Sequence, residues 1–552
     1  MSRTAWHVVL GLILLGGLVL RLKGIHDPLT DHPGWRQGDT AAIARNFATL
    51  DFNLLHPQVD YDGPPPNYVE LELQIVPFLA ATLYKIFGIH EIFGRLISIA
   101  FSLATIALVG HLARRLFRSD VAGLAAATVF AVYPGSLYYG RTFTPDTAMI
   151  ALATAALYAS VLWIAGDGDD GRVPSYLAWP AAVLTALAIL AKPVAAITLV
   201  PIVTFAIVRW GWRTTLTRPS FWAFLAIAIA PYLLYDAYLR SIAEWHWASG
   251  ITAKHVLPEL VAAFTSPAAF WRKLVQFSDA FAMLRTTMLG PIGFGLMLIA
   301  IVVPIRAEAR TLLATYFLAL VGYTYLVVTV ERVDYYLYLW LPFAAIWTGG
   351  LIARVREIVN PHEMWNSGGI ALGGVILALM ITLSRAAVHD YYYYKPDAYR
   401  AAKALDASLP PAILVVMAHY DPSVLYYINR KGWEEDPALW TPFDEESAIR
   451  KGARAFISIE DRRMRRNVDL CHWLERFPVP NPDALWPVYV TDPAKILSGA
   501  EARWQAFRRL ERAGKAKPCE APSYGSGSSE AAEDVVEVSA GFSGEPDSTS
   551  WR

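Results

Sequence analysis

Polar positions in this chain come in clumps, separated by apolar runs too long for an ordinary soluble core. A helix crosses a bilayer in about 17 to 25 predominantly apolar residues. Eleven runs of that kind stand at 5–22, 95–112, 120–138, 147–165, 176–191, 194–210, 221–239, 288–305, 311–330, 335–352 and 368–387. A further run, LELQIVPFLAATLYKIFG at 71–88, decides the topology. If it crossed, every later loop would change sides. Laid along the interface, it leaves Arg114, Arg115, Arg118, Arg209, Arg213, Arg218, Arg306, Arg310, Arg354 and Arg356 all facing the cytoplasm, as the positive-inside bias requires. The acidic loop GDGDDGRVPS (166–175) is the exception on that side, and acids weigh little in this bias. The N-terminus is then cytoplasmic, and the first run is too long and lacks the small-residue site of a cleaved signal peptide. Four segments fall outside: 23–94, the turn 139–146, the loop 240–287, and everything after about 388.

From 389 the pattern changes. AILVVMAHYDPSVLYYINRKGW pairs a short buried-type strand with an amphipathic helix, and AIRKGARAFISIE repeats helix then strand. This predicts a small α/β domain over 389–518. The Ser/Gly/Glu-rich stretch 519–552 reads as a disordered acidic tail. Cys471 and Cys519 form no metal pattern, and a disulfide between them is permitted outside the membrane.

Composition agrees with the pattern. Of 552 residues, 55% are hydrophobic and 17% charged, against roughly 25% charged in soluble domains, and the mean hydropathy is +0.34. The chain reads as a polytopic α-helical membrane protein, with residues 1–388 as the membrane module and 389–518 as an extracytoplasmic α/β domain. The formal net charge of zero carries no information, because the charges are segregated by loop.

The outer face holds the candidate chemistry. HPGWRQGDTAAIARNF (32–47) sets Trp35, Arg36, Gln37 and Asp39 at the membrane exit, ahead of a segment that reads as a helix; Asp31 lies just before it. An Asp there also suits a helix N-terminus, and Trp35 also suits an interface anchor. DYDGPPPNYVELELQ (60–74) is a Pro-stiffened turn followed by acids and amides, Glu70 among them. In YYGRTFTPDTAMI (138–150), Tyr139 ends a span, and Arg141 and Asp146 flank a turn that also reads as a helix start with Pro in its first turn. Lys192-Pro193 interrupts an apolar run, as a snorkelling anchor or as a cation for an anionic headgroup. VERVDYYLYLWLP (330–342) sets Glu331, Arg332 and Asp334 ahead of an aromatic belt. The chain has no P-loop, no G-x-S-x-G elbow and no metal-ligand spacing, and its cytoplasmic loops are too short for a nucleotide-binding domain. An energy-rich substrate therefore comes from the membrane or from outside.

In order along residues 5–350, these pieces resemble the membrane glycosyltransferases of GT-C fold. They are an acidic first loop leading into AAIARNF, then DYDGPPPNYVELELQ and LYKIFGIHEIFGRLIS, YGRTFTPD, LAILAKPVAAITLVP, and ERVDYYLYLWLPFAAI. The nearest branch holds the protein O-mannosyltransferases and the aminoarabinose transferases that modify lipid A. The resemblance implies transfer of a sugar from a polyprenyl phosphate to an acceptor on the outer face. It places the first-loop acid within 31–39. The family's Asp-Glu pair is Arg36-Gln37 here, so Asp39, one helical turn along, substitutes, with Asp31 as runner-up. The second acid matches Asp146, and a family Lys after the fifth span matches Lys192. The aminoarabinose transferases' Lys before the double proline is Gly63 here, which removes that lipid-phosphate contact.

The expectation is an inverting, polyprenyl-phosphate-sugar-dependent glycosyltransferase of the cell inner membrane, acting on an envelope glycan, lipid or protein. Asp39 is the base, Asp146 orients, and Arg36, Arg141, Lys192 and Arg332 meet the lipid phosphate. Trp35, Gln37, Tyr139 and Glu70 are the sugar-contact candidates. No cofactor is required, a divalent metal is not ruled out, and no nucleic acid is expected. Two alternatives stay open: a flippase for a lipid-linked precursor, and an inactive scaffold of the same fold. A transporter would place ionisable residues or broken helices at mid-membrane in matched repeats, whereas the charges here cluster at one face.

Overall fold

Each apolar run folds as a helix, and prolines decide where the runs break. The computed structural model describes residues 1–166, 175–244, 246–303, 307–359, 367–482, 484–517 and 519. Among these, seven helices are long and apolar enough to cross a membrane: Arg3–Arg21, Ile92–Phe117, Asp146–Ala165, Pro193–Trp210, Pro219–Ile242, Ala309–Glu331 and Asp334–Ile358. Counting each of two bent pairs as one span raises the number to nine, short of the eleven expected. The expected spans 120–138 and 176–191 contain the 13-residue helix Asp120–Val132 and the 14-residue helix Ala178–Ala191. At 1.5 Å per residue each reaches only about 20 Å, less than the roughly 30 Å hydrocarbon core. Pro134 ends the first, because the residue before a proline is driven out of the helical region, and Tyr133 is extended at ψ 139°. Lys192, ahead of Pro193, is likewise extended. Ile75–Phe87, the run read as interfacial, is also too short to cross, at 13 residues. The expected outer loop 240–287 is itself largely helical, with Leu257–Thr265 and Pro267–Met283 as its longer pieces.

The chain packs as two compact units. The first comprises Met1–Asp27, Phe47–His56 and Glu70–Tyr393. Its helices pack through small residues, which let backbones approach closely. A Cβ on Gly123 would lie 2.7 Å from the Gly110 carbonyl, and one on Gly349 would lie 2.4 Å from the Ala122 carbonyl. Asp334–Ile358 is the most enclosed long helix, with 89% of its apolar window buried.

The second unit comprises Pro28–Asn46, Pro57–Val69 and Tyr394 onward. This departs from the sequence reading, which kept the whole of 23–94 with the membrane module and began the outer domain at 389. Four strands form its sheet: β1 (Leu414–Met417), β2 (Lys431–Glu434), β3 (Ala453–Ile457) and β4 (Val488–Tyr489). Their order is β2-β1-β3-β4, with β1 parallel to β2 and β3, and β4 antiparallel to β3. The helices Pro422–Ile428 and Pro442–Arg450 make the crossovers. Asp421 caps the first, and a Thr441/Asp444 capping box starts the second. Cys471 and Cys519 are joined in a disulfide. The rest of the expected tail, 520–552, lies outside the described residues, as does most of the acidic loop 166–175.

Three contacts explain why first-loop residues belong to this unit. Gly38 lies so close to the start of helix Pro422–Ile428 that a Cβ would come within 2.4 Å of Ser423 Cα. Gly63 N donates to Gly432 O at 2.8 Å, and Gly432 N donates to Asp60 O at 3.0 Å. Asp60 is buried and accepts from Arg45, Lys431 and Asn46. Although burial works against its charge, these partners hold its carboxyl down to about 2.

Candidate functional site

Asp39 sits on the helix Gly34–Thr49, one turn in, on a stretch whose side chains are buried. Only 5% of it is exposed. The Tyr61 hydroxyl hydrogen-bonds it, while its Oδ1 accepts no hydrogen bond from any described residue. Burial pushes its carboxyl up to about 7; Arg36 and Tyr61 pull down, and Asp421 and Asp60 push further up. Asp62 is pushed up to about 7 and Glu435 to about 8, again chiefly by burial, and Glu434, at the end of β2, stands well above the usual range.

The other first-loop candidates take different parts. Asp31 is fully buried and accepts from Gln37 Nε2 at 2.6 Å. That bond engages Gln37, named as a sugar contact, in holding the loop before the helix. Arg36 is buried and acts on Asp39 through its charge. Trp35 is 43% exposed and keeps a free face.

In the first unit, Asp146 opens the helix Asp146–Ala165, one residue past Pro145, where a helix start was expected. Lys192 Nζ donates to Asp146 Oδ1 at 2.7 Å, and Asp146 Oδ2 is buried and accepts no hydrogen bond from any described residue. Lys192 is buried rather than snorkelling, with its ammonium 4.3 Å from the Tyr336 ring centre and 4.8 Å from that of Tyr335. The break at Lys192-Pro193 thus delivers a cation to an acid 46 residues away.

Beside this pair lies an acid the sequence had singled out only weakly. Asp334 accepts from the Tyr139 hydroxyl on one oxygen and from the Tyr391 hydroxyl on the other. Tyr139 packs on Tyr335, which ties the two acids into one aromatic cluster. Tyr139, a sugar-contact candidate, spends its hydroxyl on Asp334. Arg141 is buried, donates to Gly24 O at 3.0 Å, and lies against the rings of Tyr138 and Tyr392. Glu70 is buried and accepts from Ser249 Oγ at 2.6 Å, with Arg240 at 3.2 Å, so it clasps the segment after Ile242 rather than facing a ligand. Arg332 is exposed, at a left-handed position with φ 49°.

Sequence reasoning missed Tyr391, Tyr61, Asp62 and Glu434. The last sits in GWEEDP, which reads as surface charge. The remaining arrangement with metal-like spacing among the described residues is His472, Glu475 and Cys519, whose sulfur is committed to the disulfide.

Residues 74–235 match a family model described as dolichyl-phosphate-mannose-protein mannosyltransferase. No curated protein sequence matches the chain. Among solved structures, ArnT from Cupriavidus metallidurans bound to undecaprenyl phosphate superposes with a TM-score of 0.57 at 14% identity, over 89% of this chain and 99% of that one. The Archaeoglobus fulgidus oligosaccharyltransferase in its apo form gives 0.60 at 11% identity, over 90% of this chain and 76% of that one. AglB from the same organism, in complex with an inhibitory peptide and a dolichol-phosphate, gives 0.57 at 12% identity, over 90% and 75%. The protein therefore has the fold of the GT-C membrane glycosyltransferases. Within that class, the segment matched at 74–235 bears out the resemblance to the protein O-mannosyltransferase branch read from the sequence.

Proposed function

We propose that this protein transfers one sugar from a polyprenyl-phosphate donor to an acceptor hydroxyl on the outer face of the cell inner membrane, with inversion at the anomeric carbon. The observation that carries the reading is Asp39: a buried carboxyl with one unengaged oxygen, poised near 7, in a chain of GT-C fold. A base matched to the operating pH is the most effective kind, contributing typically 10²–10⁴-fold. The acceptor oxygen attacks the anomeric carbon while the bond from that carbon to the phosphate oxygen breaks, its electron pair leaving with the polyprenyl phosphate. The acceptor proton passes to Asp39. Within the first unit, Lys192, held by Asp146, and Arg141 are the candidate cations for a lipid phosphate. The bound lipid carriers of ArnT and AglB support the donor class, and the Cys471–Cys519 disulfide supports an oxidising, extracytoplasmic side.

Purified protein in lipid, given radiolabelled polyprenyl-phosphate sugars and a membrane extract as acceptor pool, tests this. Transfer that disappears in Asp39→Asn with donor still bound is the expected result. Transfer that survives there but dies in Asp31→Asn moves the base to Asp31. Lipid binding without any transfer overturns the reading in favour of a flippase or a scaffold.

A further inference from the structure

Open α/β sheets take their ligands at the carboxyl ends of the parallel strands. In the second unit that edge is acidic. β1 is followed by Tyr420 and Asp421, and β2 ends on Glu434, followed by Glu435. The first-loop segments close on the same region. Gly38 backs onto Ser423, two residues past Asp421, and the backbone pairing of Gly63 with Gly432 brings Asp62 against β2.

Two of the acids collected there are more than nine-tenths buried, and each has one oxygen that no described residue meets. Asp39 is 5% exposed and Glu434 6%. Asp39 Oδ1, Glu434 Oε2 and also Asp62 Oδ2 accept no hydrogen bond from any described residue. The charges acting most strongly on Glu434 are those of Asp39, Asp62, Asp421 and Glu435, all acids. An unmet acceptor in a buried place is costly, so the cluster calls for a ligand rich in donors. A single cation does not suit it: among the described residues, no three of these acids bring ligand atoms within 4.8 Å of one another. Oxygens spread that widely suit a ring with hydroxyls on several sides, and the 58%-exposed Tyr420 offers such a ring an aromatic face.

We propose that the carboxyl edge of β1 and β2, together with the helix bearing Asp39, binds the acceptor, and that the acceptor is a neutral, hydroxyl-rich saccharide. Glu434 and Asp62 receive hydroxyl donors that fix the ring, and Asp39 faces the reacting hydroxyl. This assignment of Asp39 rests on the transferase reading above. Acceptors carrying phosphate or carboxylate are disfavoured, because their oxygens add further acceptors where the buried oxygens need donors.

The test is saccharide binding by the full chain in phosphatidylcholine nanodiscs, read by saturation-transfer NMR with no donor present. Neutral oligosaccharides, sugar phosphates, uronates and serine peptides are compared. Neutral saccharides should bind, with affinity falling about tenfold in Glu434→Gln and in Asp62→Asn, as loss of a buried hydrogen-bonding oxygen implies. Asp62 is partly exposed, so its variant keeps the test valid should Glu434→Gln fail to fold. Sugar phosphates or peptides binding as well as neutral saccharides overturn the proposal. So does neutral-saccharide binding that neither variant weakens. Failure of the transferase reading looks different: saccharide binding intact, with no sugar ever transferred from a polyprenyl phosphate.

Discussion

At pH 8 Asp39 carries its charge where burial opposes it and where Asp421 and Asp60 repel it; Arg36 and the Tyr61 hydroxyl offset only part. A carboxyl whose folded value is about 7 and whose unfolded value is near 3.9 binds more protons folded than unfolded between those limits. Its stabilising contribution is therefore complete below about pH 4 and is lost as pH rises through about 7. Asp39→Asn, which keeps the shape and removes the charge, should leave the unfolding temperature nearly unchanged at pH 4 and raise it at pH 8. Thermal unfolding of the two proteins at both pH values measures this. A variant less stable at both would mean that Tyr61 holds a carboxylate whose charge the fold uses. The same residue should show the opposite trend in activity, with transfer rising as pH passes about 7 and the base becomes ionised. Stability and activity pull apart at one side chain, as expected of a group kept buried for its chemistry.

The helix Gly34–Thr49 owes its place to a glycine. A Cβ on Gly38 would meet Ser423 N at 2.5 Å and Ser423 Cα at 2.4 Å, and backbone atoms cannot swing aside as a side chain can. Gly38→Ala should gain helix propensity worth about 1 kcal/mol and lose about 1–3 kcal/mol to overpacking. The net result is a lower unfolding temperature and faster proteolysis between residues 28 and 46. Gly374→Ala, whose Cβ meets nothing within 4 Å, serves as the control and should be neutral or slightly stabilising. The elements themselves were legible in the sequence. Apolar runs gave the helices, Lys192-Pro193 gave a break that matters, and AILVVM and ARAFISI gave β1 and β3. Their partnerships were not. Gly38 and Ser423 are hundreds of residues apart, and nothing in WRQGD says which surface it faces. Asp334 was visible only as a charge before an aromatic belt, because its partners Tyr139 and Tyr391 arrive from two other segments.

For the molecule as a whole, sidedness is the property on which the chemistry depends. The expectation from the arginine pattern is that the end of helix Asp334–Ile358 faces the cytoplasm and the second unit lies outside. Both native cysteines are in the disulfide, so an introduced cysteine reports cleanly. Ser498→Cys, at an exposed position, should react with a membrane-impermeant maleimide in right-side-out vesicles. Glu357→Cys, also exposed, should react only after permeabilisation. The reverse pattern would put Asp39 on the cytoplasmic side and remove the outer-face reaction.

The second unit is built from Pro28–Asn46, Pro57–Val69 and Tyr394 onward, so a ribosome makes its parts at opposite ends of its task. Roughly 320 residues separate Val69 from Tyr394, and at about 5–20 residues per second the early segments wait between a quarter of a minute and a minute for the late ones. A chain cut short before Tyr394 keeps its long apolar helices yet lacks Ser423, Lys431 and Glu434. Completion of translation is thus the event that closes the unit around Asp39, and prematurely terminated copies cannot assemble it.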